Sequence, residues 1–272
     1  MQQDTIGQPQ MAPEWRRAKG LWPVNLEQDL NLRQSFDLLR KKWGEVPFTQ
    51  YDRSMSKELL SLSDEKILQT WETAYKTTSE GVAFSVRGWY HTLYRDSFRG
   101  KKILDVGCGL SPDGIHYAMH GAYVTFLDIV SYNVEFVRRV CQLRGLTEVD
   151  FCYMEDLDSL KSLANDFDVV YCCGSFINAP LELARMEAQA ILSHLKIGGR
   201  WITLAYPRER WEREGRMPEV EWGQVTDGGA PWMEWHDLAK LDYLLAPAVF
   251  DVVLSMNFHN ADFNWFDLMR LS

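Results

Sequence analysis

The stretch ILDVGCGLSPDGIHYAMHGAYVTFLDI, at residues 103–129, joins two short apolar runs through a glycine-rich turn. Apolar runs of this length are typical of strands that are buried in a parallel sheet. Gly107 and Gly109 follow the first run directly, and without a Cβ atom they allow the backbone to turn close to a ligand. The stretch therefore predicts a strand, a ligand-binding turn, a helix that begins near Pro112 and a second strand.

The composition indicates a globular protein that acts on small molecules. The chain has 272 residues, of which 46% are hydrophobic and 25% are charged, and this is enough for one large domain with an appendage. Its formal net charge of -9 argues against binding to nucleic acid, because that requires clustered Lys and Arg. We expect a small-molecule substrate and no nucleic-acid partner, and the oligomeric state is left open.

The cellular location is predicted from the N-terminus and the cysteines. The segment MQQDTIGQPQMAPEW lacks the apolar centre of a secretory leader, and no apolar run approaches the roughly 20 residues that span a bilayer. The five cysteines are odd in number and include no CxxC pair, which favours reduced, mostly buried thiols. We therefore expect a cytoplasmic protein without a membrane partner.

From about residue 100 onward, apolar runs alternate with helical segments, as in a parallel sheet that is covered on both faces. Strands are predicted at 102–106, 123–129, 150–154, 168–173 and 200–206. Helices are predicted near 112–120, 131–144, 156–164 and 181–195, the last closed by Gly198 and Gly199. The final runs, VFDVVLSMNFH and DFNWFDLMRL, are joined by Asn260 and Ala261 and predict a hairpin. The expected fold is α/β, a Rossmann-like seven-stranded and mostly parallel sheet with an antiparallel terminal hairpin.

The first hundred residues are rich in aromatic side chains and have a helical pattern. Apolar residues at helical spacing are Leu32, Phe36, Leu39 and Trp43 in one helix, and Ile67, Leu68, Trp71 and Tyr75 in the next. We expect residues 1–97 to form a helical, aromatic-rich cap or lid, and residues 98–272 to form the binding domain. Residues 208–235 have no clean period, so a functional lid and a solvated surface excursion are both open. The alternating Arg and Glu residues at 208–216 predict a salt-bridged surface helix, although they could instead receive an acidic acceptor.

Polar residues follow the predicted strands at the edge where an open parallel sheet binds its ligand. Pro112 stands where a dinucleotide fingerprint has a small residue, and Asp113 would repel a phosphate at the helix N-terminus. Asp128, at the end of the second strand, can accept both hydroxyls of a ribose. Glu155 and Asp156 follow the third strand, where they can meet an adenine edge, stabilise a helix N-terminus, or do both. The turn therefore favours a nucleoside over a diphosphate.

The motifs DVGCG, LDI, MEDL, CCGS and GGR, taken in this order, resemble those of the class I S-adenosylmethionine-dependent methyltransferases. The resemblance covers roughly residues 98–272 and includes the antiparallel last strand. It implies S-adenosylmethionine as the cofactor, with Asp128 on the ribose and Asp156 at adenine N6. It also implies that Gly107 and Gly109 flank the methionine part and that Gly174 lies near the amino-acid end. The full set of predicted cofactor-binding residues is Asp105, Gly107, Cys108, Gly109, Asp128, Ile129, Glu155, Asp156, Leu157, Gly174 and Ser175.

The acceptor side of the predicted site has no evident base. The segments SFINAP (175–180) and AYP (205–207), which follow the fourth and fifth strands, contain no His, Asp or Glu. Methyl transfer from a sulfonium depends mainly on alignment, so a partly neutral amine, a carboxylate or a nucleophile on the bound ligand itself would serve. The candidate catalytic residues are Tyr206, Asn178 and Tyr90. Asn178 can instead be a turn residue, and Tyr206 a packed strand end.

The end of the cap supplies candidate substrate-binding residues. Arg87 can bind a carboxylate or form a surface ion pair, and His91 is a possible base. Tyr75, Trp89 or Tyr90 can wall the sulfonium, since aromatic faces attract cations where water is excluded. A metal site is not expected, because His116 and His120 lack a third ligand and are interpreted as a solvated or helix-capping pair.

These observations favour methyl transfer from S-adenosylmethionine to a small-molecule acceptor under an aromatic cap. An alternative keeps the cofactor, because its own amine can attack its γ-carbon and expel methylthioadenosine, which gives a four-membered ring amino acid. A third interpretation is a noncatalytic, methyltransferase-like scaffold that binds a nucleoside. The unbroken series of ligand-binding motifs argues against the scaffold.

Overall fold

The computed structural model describes residues 32–47, 53–226 and 229–272. Residues 1–31 of the predicted cap lie outside the described residues, and they include the N-terminal segment MQQDTIGQPQMAPEW. The first elements are α1 (Leu32–Trp43), β1 (Glu45–Pro47), β2 (Arg53–Met55), α2 (Ser56–Leu59), α3 (Asp64–Ser79) and α4 (Gly88–Tyr94), with a 3-10 helix at Gly81–Ser85 before α4. Both helices predicted from apolar spacing, α1 and α3, are confirmed.

A seven-stranded sheet forms the centre of the molecule. Its strands are β3 (Lys102–Val106), β4 (Tyr123–Asp128), β5 (Val149–Tyr153), β6 (Phe167–Cys173), β7 (Leu195–Ala205), β8 (Phe250–Phe258) and β9 (Phe263–Arg270). The spatial order is β5-β4-β3-β6-β7-β9-β8. The first five strands in this order are parallel, and β9 runs antiparallel between β7 and β8. The predicted α/β fold with a terminal hairpin is confirmed.

The strand order reverses at β3, which lies between β4 and β6. Ligands of open parallel sheets bind outside the carboxyl end of the strand at such a reversal. The glycine turn at residues 107–109 follows β3 directly, so the topology brings it to this point of the sheet.

The helices that follow the strands are α5 (Pro112–Met119), α6 (Ser131–Leu143), α7 (Leu181–Leu192), α8 (Arg208–Arg213), α9 (Glu219–Val225) and α10 (Leu238–Leu245). Two boundaries differ from the prediction. The helix predicted at 156–164 is a 3-10 helix at Leu157–Ser162. The helix predicted at 181–195 ends at Leu192, and Gly198 and Gly199 lie inside β7, where the pairing with β6 shifts register. Gly198 has a positive φ of 78°, so these glycines permit an irregularity in a strand rather than close a helix.

The segment at 208–235 folds into two short helices rather than an irregular loop. Ion pairs at helical spacing join Arg208 to Glu212 at 3.2 Å and Arg210 to Glu214 at 3.0 Å, which confirms the predicted salt-bridged helix. Trp211 and Trp222 are nevertheless buried. The segment is therefore packed onto the body of the protein by its tryptophans, and the ion-paired side chains of Arg208 and Glu212 remain partly exposed.

The helices of the predicted cap pack on opposite faces of the sheet. Phe36 and Leu39 of α1 join the apolar cluster that contains Leu104 and α7. Trp71 of α3 and Tyr90 of α4 belong to the second cluster, on the face of α5 and α6. The helices of the predicted cap thus pack against both faces of the sheet. The domain boundary between residues 97 and 98 stays a prediction.

Candidate cofactor and acceptor site

The turn after β3 is built on two glycines in the left-handed region. Gly107 has a φ of 68° and Gly109 a φ of 54°, a conformation that disfavours other residues. A Cβ atom on Gly107 would lie 2.6 Å from Cβ of Ser175, whereas one on Gly109 would have no atom within 4 Å. The backbone at Gly109 therefore faces open space, which is the cradle that a bound cofactor requires.

Asp105, at the base of the turn, is buried and points toward α5. Its carboxylate accepts a hydrogen bond of 2.6 Å from the hydroxyl of Ser111. A Cβ atom on Gly114 would come within 2.3 Å of its Oδ2. Burial raises the pKa of Asp105 to about 7, against the opposing effect of the Ser111 hydroxyl. Asp105, a predicted cofactor-binding residue, thus links the end of β3 to the start of α5 through Ser111.

Asp128 connects the end of β4 to the glycine turn. Its Oδ2 accepts a hydrogen bond from the backbone N–H of Gly109 and its Oδ1 one from Val130, both at 2.8 Å. The side chain is buried, and burial raises its pKa while these two amides oppose the rise. Each carboxylate oxygen keeps a second lone pair. The two backbone amides hold the carboxylate in place, and its remaining lone pairs suit the predicted contact with the ribose hydroxyls.

The turn is also fastened to β4 by its own amides. The N–H groups of Gly107 and Cys108 both donate to the carbonyl of Leu127, at 2.8 and 3.1 Å. The Cys108 side chain is buried, and burial raises the pKa of its thiol. Cys108 therefore contributes its backbone to this part of the predicted site.

The ends of β4 and β5 are held by Arg40 of α1, a residue that sequence reasoning missed. Its guanidinium donates to the carbonyl of Ile129 at 3.0 Å, to that of Met154 at 3.4 Å and also to that of Glu155. The chain carries no local signal for this contact, since Arg40 is one of several basic residues at the end of α1. The first helix of the described chain thus forms one wall of the predicted adenosine site.

The acidic pair after β5 adopts a helix-capping arrangement. The carboxylate of Asp156 accepts hydrogen bonds of 3.0 Å from both the N–H and the hydroxyl of Ser159, which forms a capping box on the 3-10 helix. Glu155 is exposed, and Ile129 and Leu157 are partly buried against the apolar cluster of α1 and α7. The helix-terminal interpretation of Asp156 is thus observed, and its adenine contact stays a prediction.

The turn after β6 approaches the glycine turn from the other side. Gly174 has a φ of 78°, and its N–H donates to the carbonyl of Leu204 on β7 at 3.1 Å. Asn178 donates from Nδ2 to the carbonyl of Gly174 at 2.9 Å. Among the described residues, its Oδ1 and the hydroxyl of Ser175 are buried without a hydrogen-bond partner. Buried polar atoms of this kind are uncommon in proteins and indicate a place for a ligand.

The predicted residues of α4 converge on one buried carboxylate, that of Asp113. Nε2 of His91 lies 2.6 Å from its Oδ1, and Nη1 of Arg87 lies 3.7 Å from its Oδ2. The hydroxyls of Tyr90 and Tyr171 lie 3.4 and 3.2 Å from the same Oδ2. Burial alone would raise the pKa of Asp113, but His91 and Arg87 hold it well below its usual range. This cluster fastens α4 to the first turn of α5.

Two of the predicted substrate-binding residues, Tyr75 and His91, are engaged within a stack of rings. Tyr75 stacks on Trp71 and on His116, with ring centroids 5.2 and 5.9 Å apart, and its hydroxyl lies 2.8 Å from Nδ1 of His116. His91 stacks on His116 at 4.5 Å. His116 is not solvated, because it is buried, and burial lowers its pKa to about 3. The helix-capping alternative agrees with His120, the C-cap residue of α5, whose Nδ1 lies 2.7 Å from the carbonyl of His116.

The remaining α4 candidates face the terminal hairpin and the end of β6. Trp89 makes edge contacts with Phe258 and Trp265, at centroid distances of 5.4 and 5.3 Å. The hydroxyl of Tyr90 lies 3.3 Å from Sγ of Cys173, the last residue of β6. Tyr90 thus touches the strand end where the methionine part is predicted, and Trp89 supports it from the side of β8 and β9.

Tyr206 lies where β7 ends, next to a segment that returns from α9. Its ring is covered by the guanidinium of Arg210, with the carbon at 3.9 Å from the centroid. Its backbone forms a parallel bridge to Trp235. The bridge brings His236 to the carboxyl end of β7, although 29 intervening residues hide this proximity in the sequence. Segments 175–180 and 205–207 contain no histidine, as the sequence shows, but the fold adds His236 to this edge from a distant part of the chain.

The remaining observations concern metals, membranes and thiols. Within the described ranges, no group of three His, Cys, Asp or Glu side chains is arranged to hold a metal ion. The same part of the chain contains no helix of the length and apolarity needed to cross a membrane. The five cysteines are free thiols, and all but Cys173 are buried.

Known proteins are similar to the central part of the chain. A family profile described as "Methyltransferase domain" matches residues 103–199. A ubiquinone biosynthesis O-methyltransferase of Xylella fastidiosa is 34% identical over 106 residues, which is 39% of this chain and 42% of that protein. An S-adenosyl-L-methionine-dependent Diels-Alderase, iccD of Talaromyces variabilis, is 29% identical over 116 residues, or 40% of this chain and 37% of that protein. These matches identify residues 103–199 as a methyltransferase domain, in agreement with the superfamily that the motifs predict.

Solved structures agree on the fold. The magnesium protoporphyrin IX methyltransferase ChlM of Synechocystis PCC 6803, with bound SAH, has a TM-score of 0.52 at 17% identity over 92% of this chain and 100% of that chain. The PH0226 protein of Pyrococcus horikoshii has a TM-score of 0.54 at 16% identity over 72% of this chain and 95% of that chain. The predicted fold is confirmed by these neighbours, and the profile and the curated relatives support S-adenosylmethionine as the cofactor. The matched segments span only about two fifths of the curated relatives, 42% and 37% of their lengths.

Proposed function

We propose that the protein transfers a methyl group from S-adenosylmethionine to a small-molecule acceptor. The observation that carries this proposal is the bond from Gly109 to Asp128, 2.8 Å long, which holds the open glycine turn against the end of β4 at the reversal of strand order. A nucleoside bound there would lie across β3 and β4, so its reactive end would face β6 and β7.

The residues around the turn suit the parts of the cofactor. Asp128 would accept the ribose hydroxyls, and Ile129 and Leu157 would flank the adenine. Gly174 and Ser175 would meet the amino-acid end, where Arg87 would bind the carboxylate while it keeps its ion pair with Asp113. Bound in this way, S-adenosylmethionine supplies a methyl group that its sulfonium charge already activates. Asn178 and Tyr206 would then orient the acceptor, which supplies much of the rate when the leaving group is activated.

A second candidate function uses the same cofactor without an external acceptor. Tyr90 and Arg87 cover the end of β6, and Tyr90 is fully buried there. Such cover would exclude water from the methionine part and would suit an attack of its own amine on the γ-carbon, with release of methylthioadenosine. The Talaromyces variabilis relative supports a wider use of the domain, since it is described as a Diels-Alderase rather than a methyltransferase.

The experiment that separates these functions is product analysis by mass spectrometry. The protein is incubated with S-adenosylmethionine alone, and then with phenol, catechol, 4-hydroxybenzoate or benzylamine as the acceptor. Formation of S-adenosylhomocysteine and a methylated acceptor only in the second set supports methyl transfer. Methylthioadenosine above the spontaneous background in the first set supports the cyclisation instead.

A matched variant shows whether the product is formed by this protein or by a contaminating enzyme. Asp128→Ala, prepared in the same way, is expected to lose whichever product the wild type forms. Binding of the cofactor without either product would favour the noncatalytic scaffold and contradict both enzymatic proposals.

A further inference from the structure

The carboxyl ends of β6 and β7 are bridged by the segment at residues 233–236. The N–H of Glu234 donates to the carbonyl of Ile177 at 2.8 Å, and that of His236 donates to the carbonyl of Tyr206 at 2.9 Å. Asn264, which pairs with Ala205 in the sheet register, donates from Nδ2 to the carbonyl of His236 at 2.8 Å. His236 is therefore fixed by its backbone between the predicted acceptor residues and the start of β9.

Three side chains at this edge retain polar atoms without a partner. His236 is 1% exposed, and within the described part of the chain neither of its ring nitrogens is hydrogen-bonded. The Oδ1 atoms of Asn178 and Asn264 are likewise buried and unpartnered there. Both amides are oriented unambiguously, because each Nδ2 faces a backbone carbonyl that can only accept.

Unpaired buried polar atoms have an energetic cost that a ligand bound at this edge would relieve. Leaving a buried donor or acceptor unpaired costs about 1–3 kcal/mol, and most buried polar groups in proteins are paired. His194, also buried, shows the ordinary arrangement, since its Nδ1 lies 2.9 Å from the carbonyl of Ala164. His194 precedes β7 and so lies at the opposite end of that strand from His236.

The charge of His236 limits what it can bind. Burial, followed by the nearby ammonium of Lys240, lowers its pKa to about 3, and the carboxylate of Glu234 opposes this only partly. Glu234 and Lys240 are paired with each other. At neutral pH the imidazole therefore offers one N–H and one lone pair, without a charge.

We infer that His236, Asn178 and Asn264 form the acceptor subsite and bind an uncharged substrate through a hydroxyl or N–H group. This deepens the proposed function and rests on it. The two amide oxygens only accept hydrogen bonds, whereas the neutral imidazole has one N–H and one lone pair. A hydroxyl or N–H group can donate to an amide oxygen, and a carboxylate cannot. His236 thus becomes a substrate-binding residue that the local sequence conceals.

The neighbouring rings favour an aromatic hydroxyl. The ring of Tyr206 lies 6.0 Å from that of Trp222 and 5.8 Å from that of Phe263, between centroids. Tyr206 and Trp222 are buried, and Phe263 is partly buried. Aromatic rings of this kind pack against a planar ligand by edge and offset contacts. A phenol matches both the apolar wall and the acceptor atoms of the subsite.

The test is a titration followed by nuclear magnetic resonance of the histidine ring nitrogens. Wild-type protein, labelled with ¹⁵N-histidine and saturated with S-adenosylhomocysteine, receives phenol, and in a parallel sample anisole, which has the ring without the hydroxyl donor. His236→Leu assigns the resonance. We expect phenol to shift the ring nitrogens of His236 and leave those of His194 unchanged, with no comparable shift from anisole. Absence of the shift up to the solubility limit of phenol, or an equal shift with anisole, would overturn the inference.

A second measurement compares variants by phenol affinity. His236→Leu is expected to weaken binding about five- to tenfold, which corresponds to the loss of one hydrogen bond, whereas His194→Gln should leave it unchanged. Equal affinity of wild type and His236→Leu would also overturn the inference. Neither measurement requires turnover, so failure here is distinguishable from failure of methyl transfer, which product analysis detects.

Discussion

Two edges of the same sheet solve the problem of buried polar groups in opposite ways. At the β3–β4 edge, residues 105–111 and 128–130, the carboxylates of Asp105 and Asp128 are bound by the chain's own hydroxyl and amide groups. At the β6–β7 edge, residues 174–178, 206, 236 and 264, polar atoms of Ser175, Asn178, His236 and Asn264 remain unpartnered among the described residues. The first edge is organised by the chain itself, whereas we propose that a ligand completes the second.

This difference in hydrogen bonding separates the general part of the proposed site from the part that is specific to this protein. A preorganised edge suits a ligand that is the same in every member of a superfamily, and here that ligand is S-adenosylmethionine. An edge of neutral acceptor atoms suits a ligand that supplies its own donors. Substitutions at the β3–β4 edge should therefore change stability and cofactor affinity, and those at the β6–β7 edge should change the treatment of the acceptor.

The largest expected effect concerns Asp105, whose carboxyl has a pKa that burial raises. Its pKa is about 7 when folded and 3.8 in the reference state, so the folded protein holds the proton more tightly. The contribution of Asp105 to the free energy of unfolding should fall as pH rises from about 4 to about 7, by up to about 1.4 kcal/mol per pH unit. Chemical denaturation across this range measures it.

Asp105→Asn is the matched variant for this prediction. An amide keeps the shape and still accepts from Ser111, but it does not ionise. The difference in stability between wild type and variant should therefore shift in favour of the variant as pH rises, and level off above pH 7. A difference that is independent of pH would show that Asp105 does not carry a raised pKa.

The next effect separates the two glycines of the turn. Gly107→Ala combines a left-handed backbone with a Cβ contact of 2.6 Å to Ser175, and it should lower the free energy of unfolding by about 2–4 kcal/mol. Gly109→Ala meets no atom and should cost only about 1–2 kcal/mol. Denaturant titration of both variants compares them. Equal losses of unfolding free energy would mean that the Cβ contact with Ser175 does not affect stability.

The third effect compares two acidic residues that were predicted to bind the cofactor. Asp128→Ala should weaken S-adenosylhomocysteine binding about 10- to 100-fold, which corresponds to the loss of a charge-assisted hydrogen bond. Asp156→Ala, whose carboxylate is already used by Ser159, should lose about 1 kcal/mol of stability from the cap with a smaller change in affinity. Isothermal titration measures both. An unchanged affinity in Asp128→Ala would remove its ribose role.

The β3–β4 edge could be predicted because its chemistry is local in sequence. The turn glycines, the strand that precedes them and the carboxylate at the end of β4 lie within residues 103–129, so strand periodicity and turn rules suffice to place them. The parallel strands and the terminal hairpin follow from the same alternation of apolar runs. What the rules misplace is the end of α7, because Gly198 and Gly199 serve a register shift in β7 as readily as a helix stop.

The β6–β7 edge and the wall at Arg40 could not be predicted, because long-range contacts build them. His236 reaches Tyr206 through a backbone bridge, and Arg40 reaches carbonyls that lie 89 to 115 residues away. Similarly, His91 and Tyr75 have the chemistry of ligand-binding residues, but Asp113 and His116 engage them first. Side-chain type identifies candidates, and only the tertiary structure decides which of their atoms remain available.

The smallest effect on turnover is expected for substitution of Tyr206. It tests the comparison of the two sheet edges at the β6–β7 edge. The Tyr206 ring packs between Arg210 and the rings of Trp222 and Phe263, so its main contribution should be shape rather than the hydroxyl. Tyr206→Phe keeps the ring and should lower turnover less than about threefold, within the range of a modest hydrogen bond. Tyr206→Ala, which removes the ring, should raise KM for the acceptor while cofactor affinity is unchanged. A large loss of turnover in Tyr206→Phe would instead give the hydroxyl a direct part in the reaction, and the β6–β7 edge would then contain an ionisable group at its centre.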